Sequence, residues 1–161
     1  MTEPASSVDR LPLRGGDNVL FQLFRTHHAL RPHMARVVEG TGVSPDEYGV
    51  LGAVGFLGPI TPTELARRLG IPPTTVSVYA ARFLERDLVR RLPNPADGRS
   101  YLLEVTDGGR DVVHTIAPRI GALVRRLGEA SERPLRELFE ALVSLEEAAS
   151  KLEVDETSTQ S

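Results

Sequence analysis

From Asp17 to Glu39 apolar residues recur at Leu20, Leu23, Phe24, Leu30, Met34, Val37 and Val38, a spacing that predicts an amphipathic helix. Pro32 interrupts the run and is expected to kink the helix or loosen its ladder. Gly40 and Gly42 end it. The stretch "SPDE" at 44–47 then reads as a helix start, with Ser44 as cap, Pro45 in the first turn and Glu47 reaching back. That helix should run through Tyr48, Leu51 and Val54 to about Leu57, where Gly58-Pro59 breaks it. "TPTE" at 61–64 repeats the device with Thr61 and Glu64, opening a short helix closed by Gly70. A further helix begins at Pro72-Pro73 and continues to about Asp87.

The pattern next changes to strand, turn and strand over 88–105, followed by helices from Thr106 to about Leu127 and from Ser131 to about Leu152. Residues 1–16 are polar and rich in Ser, Pro and Gly and should form a flexible arm, and 153–161 a disordered tail. One domain is expected over 17–152. Its fold class is mainly α, a winged helix-turn-helix with a two-stranded β wing.

The two short helices joined by "LGIPP" form the helix-turn-helix candidate. On the second of them Val76, Tyr79, Ala80 and Phe83 share one face by helical spacing. Thr74, Ser77, Val78, Ala81 and Glu85 then point away from the core, with Thr75 and Arg82 at the flanks. Such a small, hydroxyl-bearing surface can approach base edges, and Val78 and Ala81 could meet thymine methyls. A plain solvated helix would look similar. The hairpin shifts the balance: "NPADGRSY", 94–101, looks like an Asp97-Gly98 turn carrying Arg99 at its tip. Arg99 would suit a narrow A·T-rich minor groove, with Asp97 accepting a hydrogen bond from it. Arg90 and Arg91 on the first strand are placed to meet phosphates. Leu103 and Val105 should turn inward by alternation.

Charge sharpens this picture. The chain has 161 residues and a net charge of −3, which by itself argues against nucleic acid. Residues 61–101, however, hold seven arginines against four acids, whereas the stretch from Glu129 onward holds nine acids and three bases. A basic middle between acidic flanks is therefore present. Lys151 is the only lysine. There is no cysteine, which excludes disulfides and thiol chemistry. His27, His28, His33, Glu39 and His114 include no pair at i, i+4, so no metal site and no cofactor is expected. The N-terminus lacks a secretion-signal layout, and no window approaches the roughly 18 apolar residues of a membrane span. A cytoplasmic protein is expected, and nothing in the chain reads as an enzyme.

Residues 65–111, "LARRLGIPPTTVSVYAARFLERDLVRRLPNPADGRSYLLEVTDGGRD", resemble the winged helix-turn-helix of the MarR family of bacterial transcription regulators. "TVS", "LVRRLPNPADGRS" and "LEVTDGGR" carry the resemblance, and "SPDEYGVLGAV" extends it as the family's second helix. It implies a winged helix over about 44–106 and dimerisation helices at about 17–39 and 107–152. It implies a homodimer reading a pseudo-palindromic double-stranded DNA operator, a repressor released by a small aromatic or phenolic ligand. Leu138, Leu142 and Leu145 form an apolar stripe with Phe139 beside it. That stripe fits the dimer interface, and it would equally fit packing within one subunit.

Five positions depart from the family pattern. Val78 and Ala81 stand where polar or charged residues are frequent, and Pro72 where a hydroxyl cap is common. Gly98 replaces the first of two arginines, and Asp87 sits where glycine is preferred. The resemblance further implies an effector pocket between the first two helices and the helix after the wing. His27, on the apolar stripe of the first helix, reads either as a core residue or as a ligand group. Tyr48 offers a phenol, and Arg14, Arg25 or Arg31 could supply charge. The competing reading is an interaction module that keeps the winged fold without binding DNA.

Overall fold

The computed structural model describes residues 18–152; the expected arm at 1–16 and tail at 153–161 lie outside them. The elements are α1 (Val19–Val38), α2 (Pro45–Leu57), α3 (Pro62–Leu69), α4 (Pro73–Glu85), β1 (Val89–Pro93), β2 (Tyr101–Val105), α5 (Asp107–Ala130) and α6 (Leu135–Ser150). The described chain divides into two compact units, the first ending at Ala117 and the second starting at Pro118, within α5. No described helix is long and apolar enough to cross a membrane.

In the first unit, helix starts follow the local sequence closely. Asn18 caps α1, its Oδ1 accepting from Leu20 N–H at 3.0 Å. The helix then continues through Pro32 to Val38. At α2 both halves of the capping box form: Ser44 Oγ accepts from Glu47 N–H at 3.1 Å, and Glu47 Oε2 from Ser44 N–H at 2.8 Å. At α3 only half of it forms. Thr61 Oγ1 accepts from Glu64 N–H at 3.2 Å, but the Glu64 carboxylate turns forward to Arg67 and Arg68. Those arginines, Arg67 first, hold its pKa down at about 2. With two cations one turn ahead, a neutral N–H behind cannot compete.

The exit from α4 is a Schellman arrangement. Leu88 N–H donates to Phe83 O at 2.8 Å and Asp87 N–H to Leu84 O at 3.2 Å. Such an ending needs a left-handed residue, normally glycine, and Asp87 takes that place with φ 52°. Thr106 secures the strained residue. Its hydroxyl donates to Asp87 O at 2.6 Å and accepts from Gly109 N–H at 3.1 Å.

The core lies where α2, α3 and α4 meet the sheet: Leu51, Val54, Leu65, Val76, Phe83, Val89 and Leu103 are all fully buried. β1 and β2 pair antiparallel, with Val89 opposite Val105 and Arg91 opposite Leu103. Leu103 and Val105 point inward as alternation requires. Ile60 adds a single-residue bridge to Leu103, with bonds of 2.8 and 3.0 Å. One residue has no period, so sequence pattern could not reveal it.

In the second unit α6 begins at Leu135, not Ser131. A residue before proline is driven out of the helical region, which stops Arg133 from joining the helix. Ser131 is spent in a local turn instead, donating to Arg133 O at 2.7 Å. No residue of α6 is buried.

Candidate nucleic-acid interface

The face of α4 opposite the core presents Thr74, Ser77, Val78, Ala81, Arg82 and Glu85 to solvent, while Val76, Ala80 and Phe83 are buried beneath. Thr75 is half-buried at the flank. The start of this helix has Pro72 as its cap and no side-chain cap bond. Ser77 donates its hydroxyl to Pro73 O at 2.9 Å, which leaves that oxygen to act outward only as an acceptor. The outer surface is thus short-chained and nearly uncharged over its first two turns, with Arg82 following.

The wing is closed by residues 94–100, a longer connection than the Asp97-Gly98 turn expected. Side chains of Asn94, Asp97 and Ser100 build it. Asn94 Oδ1 accepts from Ala96 N–H at 3.1 Å, and Asp97 Oδ1 accepts from Arg99 N–H at 3.0 Å. The Asp97–Arg99 bond therefore runs through the arginine's backbone, fixing the loop rather than the guanidinium. Gly98 is not in the left-handed region, and nothing lies within 4 Å of where its β-carbon would be. Neither conformation nor space requires glycine there.

Of the four arginines expected at DNA, the structure treats each differently. Arg90 pairs across the ribbon with Glu104, Nε to Oε2 at 2.6 Å. Arg91 stacks on Tyr101 with its guanidinium carbon 4.4 Å from the ring centre. Being adjacent on a strand, these two leave the ribbon on opposite faces, so one surface cannot receive both. Arg82 reaches Glu47 at 3.5 Å. The Arg99 guanidinium makes no hydrogen bond or ion pair among the described residues and stands exposed at the tip. Sequence pattern does not announce Glu47 and Tyr101 as partners, because each meets its arginine only through tertiary contact or strand pairing.

Residues 41–100, from the entry to α2 to the wing tip, match the model of the MarR family. The HTH-type transcriptional repressor MdtR of Bacillus subtilis (strain 168) is 29% identical over 122 residues, covering 74% of this chain and 78% of that protein. The segment spanning α2 to the wing is thus similar to the MarR family. Solved MarR-family structures share the fold. A mutant MarR from E. coli, complexed with operator DNA, superposes with a TM-score of 0.70 at 22% identity, over 78% of this chain and 92% of that one. The PcaV regulator of Streptomyces coelicolor, in complex with its natural ligand, gives 0.72 at 22% identity, over 84% and 95%.

A cleft of about 590 Å³ opens between α1 and the start of α2, lined by His27, Leu30, Arg31, Met34, Ser44, Pro45 and Asp46. His27 is exposed to this cleft and is not a core residue. Tyr48 is half-buried and outside the lining. Arg25 is also outside it, and Arg14 lies beyond the described residues. No cluster of potential metal ligands occurs among the described residues. On α6, Leu138, Phe139 and Leu142 are exposed by 39%, 66% and 54%, with Leu145 half-buried. Phe21 and Phe24 on α1 are exposed as well.

Proposed function

We propose that this protein is a homodimeric, sequence-specific repressor of transcription, working in the cytoplasm as one functional domain and released from DNA by a small ligand. The observation that carries the DNA reading is the pairing of a short-chained α4 surface with a wing whose tip holds Arg99, its guanidinium without a partner among the described residues. Thr74, Ser77 and Val78 would face base edges, Thr75 the edge of the groove, and Arg82 a phosphate or guanine. Arg99 would enter the minor groove, where negative potential favours an uncommitted guanidinium. Arg90 or Arg91 would meet the backbone, and Asp97 would keep the tip in shape. A relative solved on operator DNA supports the same use of the fold.

The exposed leucines and phenylalanines of α6 and α1 support the dimer. Large apolar side chains left in water at this density mark an interface. For release, the His27–Arg31 cleft offers a cation and an imidazole above the apolar Leu30 and Met34, a fit for an aromatic acid or phenolate. A regulator of the same fold solved with 2,4-dichlorophenol bound supports that ligand class.

Fluorescence anisotropy with a duplex taken from upstream of the protein's own gene tests the reading. Tight, salt-sensitive binding is expected, weakened about tenfold by Arg99→Ala. A protein that binds neither this duplex nor any sequence selected from a random pool is an interaction module instead.

A further inference from the structure

Glu47 is the one buried charged residue among those described, 7% exposed. A carboxylate kept from water needs hydrogen bonds and counter-charge. Its Oε2 accepts from Ser44 N–H at 2.8 Å. Two guanidiniums supply the charge, Arg82 Nη1 at 3.5 Å from Oε1 and Arg86 Nη1 at 3.9 Å from Oε2. Both come from the end of α4, so the start of α2 is tied to the helix carrying the proposed DNA surface.

The two arginines are not equivalent. The Arg86 side chain is 35% exposed and that of Arg82 58%. Arg86 lies against Gly42, where a β-carbon would stand 3.0 Å from its Nη2, and Gly42 has φ +74°. A glycine in a left-handed turn thus makes room for Arg86 as the inner counter-charge. Arg82 is the outer one. Only its Nη1 is engaged, at a long distance, and its Nε and Nη2 have no partner among the described residues. With two cations on one anion, the cluster keeps a net positive charge facing outward.

We propose that Glu47 is a positioning residue for DNA recognition: from its buried place at the start of α2 it holds one edge of the Arg82 guanidinium and leaves the other edge turned to the DNA backbone. This rests on the DNA-binding reading above. An unrestrained arginine on a helix surface loses many rotamers when it grips a phosphate. A fixed carboxylate behind it removes part of that loss in advance, and the planar fork can serve a carboxylate and a phosphate together.

Glu47→Gln separates this role from capping. The amide oxygen can still accept from Ser44 N–H, while the charge that holds Arg82 is gone. Anisotropy titrations on the duplex bound by the wild type, with Glu47→Gln and Arg82→Ala alone and combined, give the coupling between the two residues. The expected result is a loss of about 3–10-fold for Glu47→Gln, with no further loss once Arg82 is alanine. Glu47→Asp, which keeps the charge but shortens its reach, should weaken binding only when Arg82 is present and guards against a poorly folded Gln variant. Binding by both variants as tight as wild type would overturn the proposal. So would a loss of equal size with and without Arg82, which would make Glu47 purely structural. A wild type that binds no duplex defeats the DNA reading itself, a result distinct from either of these.

Discussion

Gly109, in the first turn of α5, packs against the carbonyl of Leu88 at the head of β1. A β-carbon built on Gly109 would overlap the Leu88 oxygen and stand 2.7 Å from Val105 Cγ2. Its neighbour Gly108 is different, because the nearest atom to a β-carbon there is Asp87 O at 3.5 Å. Of two adjacent glycines, one is demanded by packing and the other only tolerated. The contact sets how close α5 comes to the root of the wing.

Gly109→Ala should therefore destabilise the protein. Alanine gains about 1 kcal/mol of helix propensity over glycine. A β-carbon pressed on backbone cannot be relieved by a rotamer change, and the net loss should reach about 2 kcal/mol or more. Thermal denaturation should show a midpoint lower by on the order of 10 °C. Gly108→Ala should be neutral or slightly stabilising, and equal melting of the two variants would refute the packing argument.

At the wing tip the prediction is a gain. Gly98 has ordinary φ and open space around its missing side chain. Gly98→Arg should fold normally and place a second cation beside Arg99. DNA affinity should rise about 3–10-fold, and the slope of log K against log salt should steepen by about 0.9. An unchanged slope would mean that the tip does not reach the duplex.

Glu104 holds Arg90 across the ribbon with both Nε and Nη2. If Arg90 is to meet a phosphate, that pair competes with DNA. Glu104→Gln should strengthen binding about 2–5-fold at low salt, within the range of an exposed ion pair. The gain should vanish in an Arg90→Ala background. A gain that persists without Arg90 would point to general charge instead of this pair.

The apolar face of α6 gives the fourth prediction. Phe139→Glu combined with Leu142→Glu places two charges on side chains exposed by 66% and 54%. In a lone subunit, substitutions at such exposed sites cost little. In a dimer they would bury charge, so sedimentation should show a folded monomer that binds DNA far more weakly. A sedimentation coefficient unchanged from wild type would remove these residues from the interface.

Helix starts are largely legible because they are local. Ser44, Thr61 and Thr106 each satisfy an N–H group three residues away, and no distant part of the chain can alter that arithmetic. The α4 face is legible for the same reason, since helical spacing alone separates Val76 and Phe83 from Ser77 and Val78. The start of α6 departs from the expected Ser131 because Pro134 restricts Arg133 and delays the helix to Leu135. The hairpin loop departs from expectation because Asp-Gly suggests a tight turn. The side chains of Asn94 and Asp97 stabilise a longer one.

Local pattern was therefore enough for the order of elements, the inward and outward faces of α4 and the basic wing. These follow from the period of the backbone and from contacts within a few residues. Which arginine stays uncommitted was settled by packing. Arg90 met Glu104 through strand register, Arg91 met Tyr101 through the pleat, and Arg82 met the buried Glu47 through helix packing. Those partners lie far apart along the chain for Arg82 and across a loop for the others. Their pairing depends on where whole elements come to rest, a quantity no local pattern encodes.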